Sequence, residues 1–125
     1  MIEEDADASV LDAEVLERLE SELGSSPERV ATILAVYLEE VQPYRVDIRE
    51  ASQADDAERL EFAAHRLGSA SVLVGATKLT RLCGELESLN RASTGDRGKR
   101  LVALIEAEAD AVYASVLHVL HRGAR

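Results

Sequence analysis

A histidine with two small neighbours has the clearest capacity for chemistry in this sequence. Helical periodicity from about Asp55 to Val74 predicts a helix with one apolar face, at 100° per residue, made of Leu60, Ala63, Leu67, Ala70 and Val74. His65 points to nearly the opposite side. Much of an exposed histidine is uncharged at neutral pH, and its unprotonated nitrogen is a nucleophile. Such a nitrogen can carry a phosphoryl group and pass it to a carboxylate on another protein, which requires exposure rather than a pocket.

The residues beside His65 on the predicted outer face are unusually small. Gly68 and Ser69 lie three and four positions further on, where they flank the imidazole on the next turn. A glycine inside a helix costs about 1 kcal/mol relative to alanine, and the helical wheel places this one away from the apolar face. We therefore interpret the small residues as clearance for a large partner, whose contact surface would include outward Val72 and Glu61. The alternative is an ordinary surface histidine beside a flaw in the helix.

The rest of the sequence predicts the elements that hold this histidine in place. Apolar residues recur at helical spacing along nearly the whole chain. Five helices are expected, at about residues 12–23, 26–51, 55–74, 77–91 and 97–122. Asp12 caps the first helix, and Ser26 followed by Pro27 begins the second. Pro43 should kink the second helix or end it, and we favour a kink because the apolar pattern resumes beyond it.

Short loops between the predicted helices imply that neighbouring helices are antiparallel. We therefore predict an all-α fold, an antiparallel four-helix bundle with an additional N-terminal helix packed as a cover. Aromatic residues make up only 3% of the chain, so the core must consist of Leu, Val, Ile and Ala. The single domain should span residues 10–122, after an acidic tail at residues 1–9.

The charge distribution excludes several classes of partner. The net charge is −10, and residues 1–22 contribute −8 of it, with nine acidic residues against Arg18 alone. The chain has no basic stripe, so neither nucleic acid nor an anionic membrane is an expected partner. Its apolar runs are too short to span a bilayer and its first residues are acidic, which favours a cytoplasmic location. The polar outward faces favour a monomer.

The other reactive side chains carry weaker signals. Cys83 is the single cysteine, so it forms no internal disulfide, and its position beside an apolar stripe predicts a small core residue. His118 and His121 are three residues apart on the last predicted helix and could share a metal. The sequence places no third ligand beside them, so we predict a solvated pair and no metal site.

A longer, ungapped set of motifs begins just before His65. It consists of residues 64–71 (AHRLGSAS), Gly75-Ala76, Leu79, and residues 82–87 (LCGELE). This set resembles the histidine-containing phosphotransfer (HPt) domain of bacterial phosphorelays, whose pattern is roughly AHxLKGSSxxxGAxxLxxLCxxLE. The resemblance extends over about residues 10–121, and the ungapped spacing makes it more specific than any single short motif.

The resemblance implies a four-helix bundle with an N-terminal helix, and it makes His65 the phosphoacceptor. It further implies a phosphocarrier without kinase activity of its own, which relays phosphoryl groups between receiver-domain aspartates or accepts them from a hybrid sensor kinase. The chain itself would need no cofactor, because Mg²⁺ is expected only on the partner receiver domain.

The two positions that flank His65 on the next turn depart from the family pattern. The family's usual Gly is replaced by Ser69, which is still small, and its usual Lys is replaced by Gly68. The second change removes a charge near the phosphoryl oxygens, for which Arg66 and Arg91 are the candidate replacements. The alternative function is therefore a receiver-docking module with the same fold that does not carry phosphate efficiently.

Glu87 occupies the position from which the family's Glu or Gln often contacts the imidazole. The spacing agrees, because His65 lies 10 residues before Gly75 and Glu87 lies 12 residues after it. In an antiparallel hairpin both would lie about 15–18 Å from the turn. A carboxylate that accepts the Nδ1 proton would leave Nε2 free and more basic. The alternative is that Glu87 is a solvated charge.

Overall fold

Residues 10–89 and 95–123 are described in the computed structural model, and they form five α-helices. The helices are α1 (Ala13–Glu22), α2 (Pro27–Gln53), α3 (Ala57–Leu73), α4 (Thr77–Glu87) and α5 (Gly95–Gly123). Helices α2 to α5 form a closed ring in which α2 packs on α3, α3 on α4, α4 on α5 and α5 on α2, while α1 contacts α2. The predicted all-α four-helix bundle with an added N-terminal helix is confirmed. The predicted acidic tail lies outside the described residues.

Side-chain caps begin the first three helices. The Asp12 carboxylate accepts a hydrogen bond from the backbone of Glu14 at 2.9 Å, and the Ser26 hydroxyl accepts one from Arg29 at 3.3 Å. Asp56 does the same for α3, at 3.1 Å from the backbone nitrogen of Arg59. Each cap satisfies a backbone N–H that has no partner within its helix. The predicted caps at Asp12 and Ser26 are therefore present.

Helix α2 continues through Pro43 instead of ending there. The proline removes one backbone hydrogen bond and crowds a carbonyl, at a cost of about 3 kcal/mol. Buried side chains on both sides of it outweigh that cost, because each contributes about 1.5–3 kcal/mol when fully removed from water. These side chains are Leu34, Tyr37, Leu38 and Val41 before the proline, and Ile48 and Ala51 after it.

The core consists almost entirely of aliphatic side chains, as the composition predicts, and it includes Cys83. Tyr37 and Ser71 form a buried hydrogen-bonded pair with 2.8 Å between their oxygens, and Ser71 also donates to the carbonyl of Leu67 at 2.8 Å. Leu104 on α5 is 52% exposed. Its neighbour Ile105 takes the inward position.

A tight link joins α3 to α4 and also receives the start of α1. Gly75 has a φ of +76°, a conformation that side-chain-bearing residues rarely adopt. A Cβ at this position would lie 3.0 Å from both the carbonyl oxygen of Asp12 and the Cβ of Val15. The backbone nitrogen of Asp12 donates to the carbonyl of Gly75 at 2.8 Å. Glycine is thus needed here for both the turn and the close approach.

Helix α4 is shorter than predicted and α5 begins earlier. Helix α4 ends at Glu87 rather than near Arg91, and α5 starts at Gly95 although residues 93–96 were expected to form a loop. Residues 90–94, which include Arg91, lie outside the described residues.

Candidate functional site

His65 projects from the middle of α3 and contacts a side chain at the end of α4. Its side chain is 63% exposed, and its Nδ1 lies 2.8 Å from Oε1 of Glu87, whose own side chain is 31% exposed. The antiparallel α3–α4 hairpin brings the two residues to the same level, as the distances from Gly75 predict. The predicted contact between His65 and Glu87 is therefore present in the structure.

This contact determines which ring nitrogen is free. An ionised carboxylate has no proton to donate, so Glu87 accepts and Nδ1 of His65 carries the hydrogen. The lone pair of the neutral ring is then on Nε2, and the exposed ring leaves that nitrogen accessible to a second protein. Such an arrangement can present Nε2 of an exposed imidazole as a nucleophile.

Gly68 does not lie on the exposed surface, contrary to the prediction from the helical wheel. It is buried where α3 packs against α4, and a Cβ at this position would lie 3.0 Å from the Cβ of Cys83. The wheel assigned a single inward direction to α3, whereas α3 contacts α2 on one side and α4 on the other. The two contacts together cover a wider arc that includes Gly68. Its small size therefore allows close helix packing, and Gly68 is not exposed beside His65 as the wheel predicted.

The other residues predicted for the outer face are exposed. Glu61, Ser69 and Val72 all have accessible side chains on α3. Two large apolar residues that were not predicted to be exposed, Phe62 and Leu73, are 60% and 49% exposed on the same helix. Phe62 is the chain's only phenylalanine and lies three residues before His65, which is the signal that could have identified it.

Arg66 is held by aromatic rings on the α2 side of α3. Its Nη2 donates to the hydroxyl of Tyr44 at 3.1 Å, and its guanidinium carbon lies 5.0 Å from the centre of the Tyr44 ring and 5.4 Å from that of Phe62. The hydrogen bond to Tyr44 raises the pKa of Arg66 further above its already high usual value. Arg66 thus contacts these two rings, whereas Arg91, the other predicted cation, lies outside the described residues.

The remaining candidates do not extend the site. Burial raises the pKa of the Cys83 thiol to about 12, with a smaller contribution from the charge of Glu87, so this cysteine is an unreactive core residue. His118 and His121 are exposed on the last turns of α5. Among residues 10–89 and 95–123, no three His, Cys, Asp or Glu side chains are grouped so that they could hold a metal ion.

An exposed histidine on a helical bundle, oriented by a carboxylate from the next helix, is the arrangement expected of a phosphotransfer domain. The family model of the Hpt domain matches residues 32–115, and the chain belongs to this family. Proteins of this family act as phosphocarriers rather than as enzymes. None of the five helices in the described part of the chain has both the length and the apolar character needed to cross a membrane.

The fold is similar to that of one solved phosphotransfer protein. This is the histidine-containing phosphotransfer protein B (HptB) from Pseudomonas aeruginosa PAO1, with 26% sequence identity and a TM-score of 0.81. The similarity covers 90% of this chain and 96% of that protein. No curated protein matches this sequence.

Proposed function

We propose that this protein relays phosphoryl groups through Nε2 of His65. The donor is the phosphoaspartate of a receiver domain, either free or part of a hybrid sensor kinase, and the acceptor is an aspartate of another receiver. The observation that carries this proposal is the exposed imidazole whose Nδ1 lies 2.8 Å from the Glu87 carboxylate. Membership of the Hpt domain family supports it.

The transfer uses only two groups of this chain, the imidazole of His65 and the carboxylate of Glu87. The Nε2 lone pair of His65 attacks phosphorus, the N–P bond forms, and the acyl P–O bond of the phosphoaspartate breaks to release its carboxylate. The ring gains positive charge as the N–P bond forms, and the nearby negative charge of Glu87 stabilises it. Transfer onward is the same step in reverse, with a different aspartate.

The partner supplies the remaining electrostatics. A receiver domain would bring its own Mg²⁺ to neutralise the phosphoryl oxygens, so this chain needs no cofactor and no kinase activity of its own. In this proposal the protein works as a monomer in the cytoplasm, where the receiver domains of such relays operate.

The replacement of the family's usual lysine favours a second candidate function. Gly68 provides no cation beside the phosphoryl group, so a protein that docks on receivers without carrying phosphate efficiently is the alternative. The two functions differ in whether label is transferred once a receiver has bound.

A phosphotransfer assay distinguishes them. Purified protein is mixed with receiver domains that carry radiolabelled phosphate, and the bound label is tested for the acid lability and base stability of phosphohistidine. Label should appear on the wild type and on His118→Gln, a control at another exposed histidine, but not on His65→Gln. Receiver binding without any transfer to the wild type would instead support the docking module.

A further inference from the structure

We infer that the receiver domain docks on the α2 side of α3, with Phe62 as its apolar anchor and Arg66 as the residue that positions this anchor. The inference rests on the proposed phosphotransfer through His65 and goes beyond it by assigning the contact surface and its main residue. The partner chemistry it requires is a receiver that presents an apolar depression beside its acceptor aspartate.

Proximity to His65 determines what the partner must cover. For a phosphoryl group to reach Nε2, the donor has to come within bonding distance of the imidazole. On a helix, the side chains three and four residues away are the nearest neighbours on the same surface, and here these include Phe62 and Ser69. Any protein that donates to His65 therefore also covers Phe62.

The apolar part of this surface lies toward α2. Phe62 and Leu73 are exposed on α3, and Val36 is 52% exposed on α2. The hydrogen bond between Tyr37 and Ser71 shows that this part of α2 lies level with the end of α3, which brings Val36 close to the level of Leu73. Leu73 lies 11 residues further along α3, or about 16 Å, so Phe62 is the one of these side chains that lies beside His65. An exposed apolar side chain next to a reactive group favours an interaction surface there, because its burial by a partner is favourable.

The opposite flank of α3 has a different role. On that flank α3 and α4 pack closely, with Gly68 against Cys83. The end of α4 provides the Glu87 carboxylate that contacts the imidazole. This flank orients the nucleophile, which leaves the flank toward α2 for recognition.

Arg66 lies between the rings of Phe62 and Tyr44 and connects the two helices. Its guanidinium carbon is 5.4 Å from the centre of the first ring and 5.0 Å from that of the second, and its Nη2 bonds the Tyr44 hydroxyl. Both distances are within the range of cation–π attraction. An aromatic side chain that is held in place before binding loses less entropy when a partner covers it, so the stack makes Phe62 a better anchor.

The test separates docking from chemistry by using two phosphate donors. Phosphoramidate, a small donor that needs no docking surface, phosphorylates His65 directly. A receiver domain that accepts label from the wild-type protein is then titrated against each phosphorylated variant, which gives a maximal transfer rate and the receiver concentration at half of that rate. The variants are Phe62→Ala, Arg66→Ala and Arg66→Lys, with Leu104→Ala as the control for an equally exposed apolar residue on α5.

Phe62→Ala should raise the half-maximal receiver concentration about tenfold or more, with the maximal rate unchanged. Arg66→Ala should raise it roughly two- to fivefold, and Arg66→Lys should recover part of the loss because a lysine can still stack on the rings. Reaction with phosphoramidate and the lifetime of the phosphohistidine should match those of the wild type. Leu104→Ala should change none of these quantities.

The inference is wrong if Phe62→Ala behaves like Leu104→Ala. It is also wrong if Arg66→Ala shortens the phosphohistidine lifetime or lowers only the maximal rate, because Arg66 would then act on the phosphoryl group. Failure of phosphoramidate to label His65 would refute the proposed function separately. Calorimetric binding of the unphosphorylated variants to receiver domains would then test the docking surface alone, and a panel in which no receiver binds the wild type would overturn it.

Discussion

Substitution of Gly68 by alanine tests the close contact between α3 and α4 at Cys83. Two effects of opposite sign follow from the added methyl group. Alanine is favoured over glycine inside a helix by about 1 kcal/mol. Against this, the new Cβ would lie 3.0 Å from the Cβ of Cys83, which is tighter than ordinary van der Waals contact and involves an atom that cannot rotate away. Helices α3 and α4 would have to move apart.

The cost of the close contact with Cys83 should exceed the gain in helix propensity. Overpacking a well-packed core costs about 1–3 kcal/mol, so Gly68→Ala should lower the free energy of unfolding by about 1 kcal/mol after the gain in helix propensity. Gly84 on α4 provides the matched control, because a Cβ there would meet no atom within 4 Å. Gly84→Ala should therefore raise the free energy of unfolding by up to about 1 kcal/mol.

The comparison requires only two denaturation series. The midpoints of urea unfolding, followed by circular dichroism, give the difference between the variants, which should be about 2 kcal/mol in favour of Gly84→Ala. The corresponding separation in melting temperature is roughly 8 °C for a chain of this size. If Gly68→Ala is as stable as Gly84→Ala, position 68 is not limited by packing, and its interpretation as clearance on an open surface would be restored.

Three further perturbations have expected outcomes. Glu87→Ala should slow the phosphorylation of His65 by phosphoramidate by roughly tenfold, because the ring loses the carboxylate that orients it, whereas an unchanged rate would mean that the hydrogen bond has no role in transfer. Ser71→Ala should lower the free energy of unfolding by about 1–3 kcal/mol, because it leaves the buried Tyr37 hydroxyl without its partner. Tyr37→Phe should cost only about 1 kcal/mol, because the Ser71 hydroxyl still donates to Leu67. The reverse order in urea unfolding would contradict the hydrogen bond between Tyr37 and Ser71. Iodoacetamide at pH 8.5 should label Cys83 far more slowly in the folded protein than in urea. Equal labelling rates in the two states would show that the folded thiol is accessible. The free energy of unfolding should also fall as pH rises from about 9 toward 12, because the thiol of the unfolded chain ionises at lower pH than the buried thiol of the folded protein.

Several features that depend on local spacing were predictable from the sequence. Residue-type preferences identified the caps at Asp12 and Ser26, and counting residues from Gly75 placed Glu87 level with His65. The caps follow from the chemistry of helix termini alone. The position of Glu87 also required the short link at Gly75, which makes the third and fourth helices antiparallel neighbours, and the family resemblance pointed to the same contact.

Other contacts between neighbouring helices were not predictable from the sequence. Gly68 was assigned to the wrong surface because a wheel with one core direction does not represent a helix packed on two sides. The contact of Arg66 with Tyr44 joins residues 22 positions apart on different helices, and no periodic pattern encodes it. Phe62 was missed because only Val72, among the outward apolar residues of this helix, was assigned to the contact surface.

The short link between α3 and α4 also bears on how the site forms during folding. His65 and Glu87 are 22 residues apart within one helical hairpin, whereas the ion pairs Arg45–Asp110 and Arg49–Glu106 join α2 to α5 across 65 and 57 residues. Contacts between residues close in the sequence require the closure of smaller loops and form faster. We therefore expect the imidazole to acquire its carboxylate partner when this hairpin forms, before the last helix returns to close the bundle.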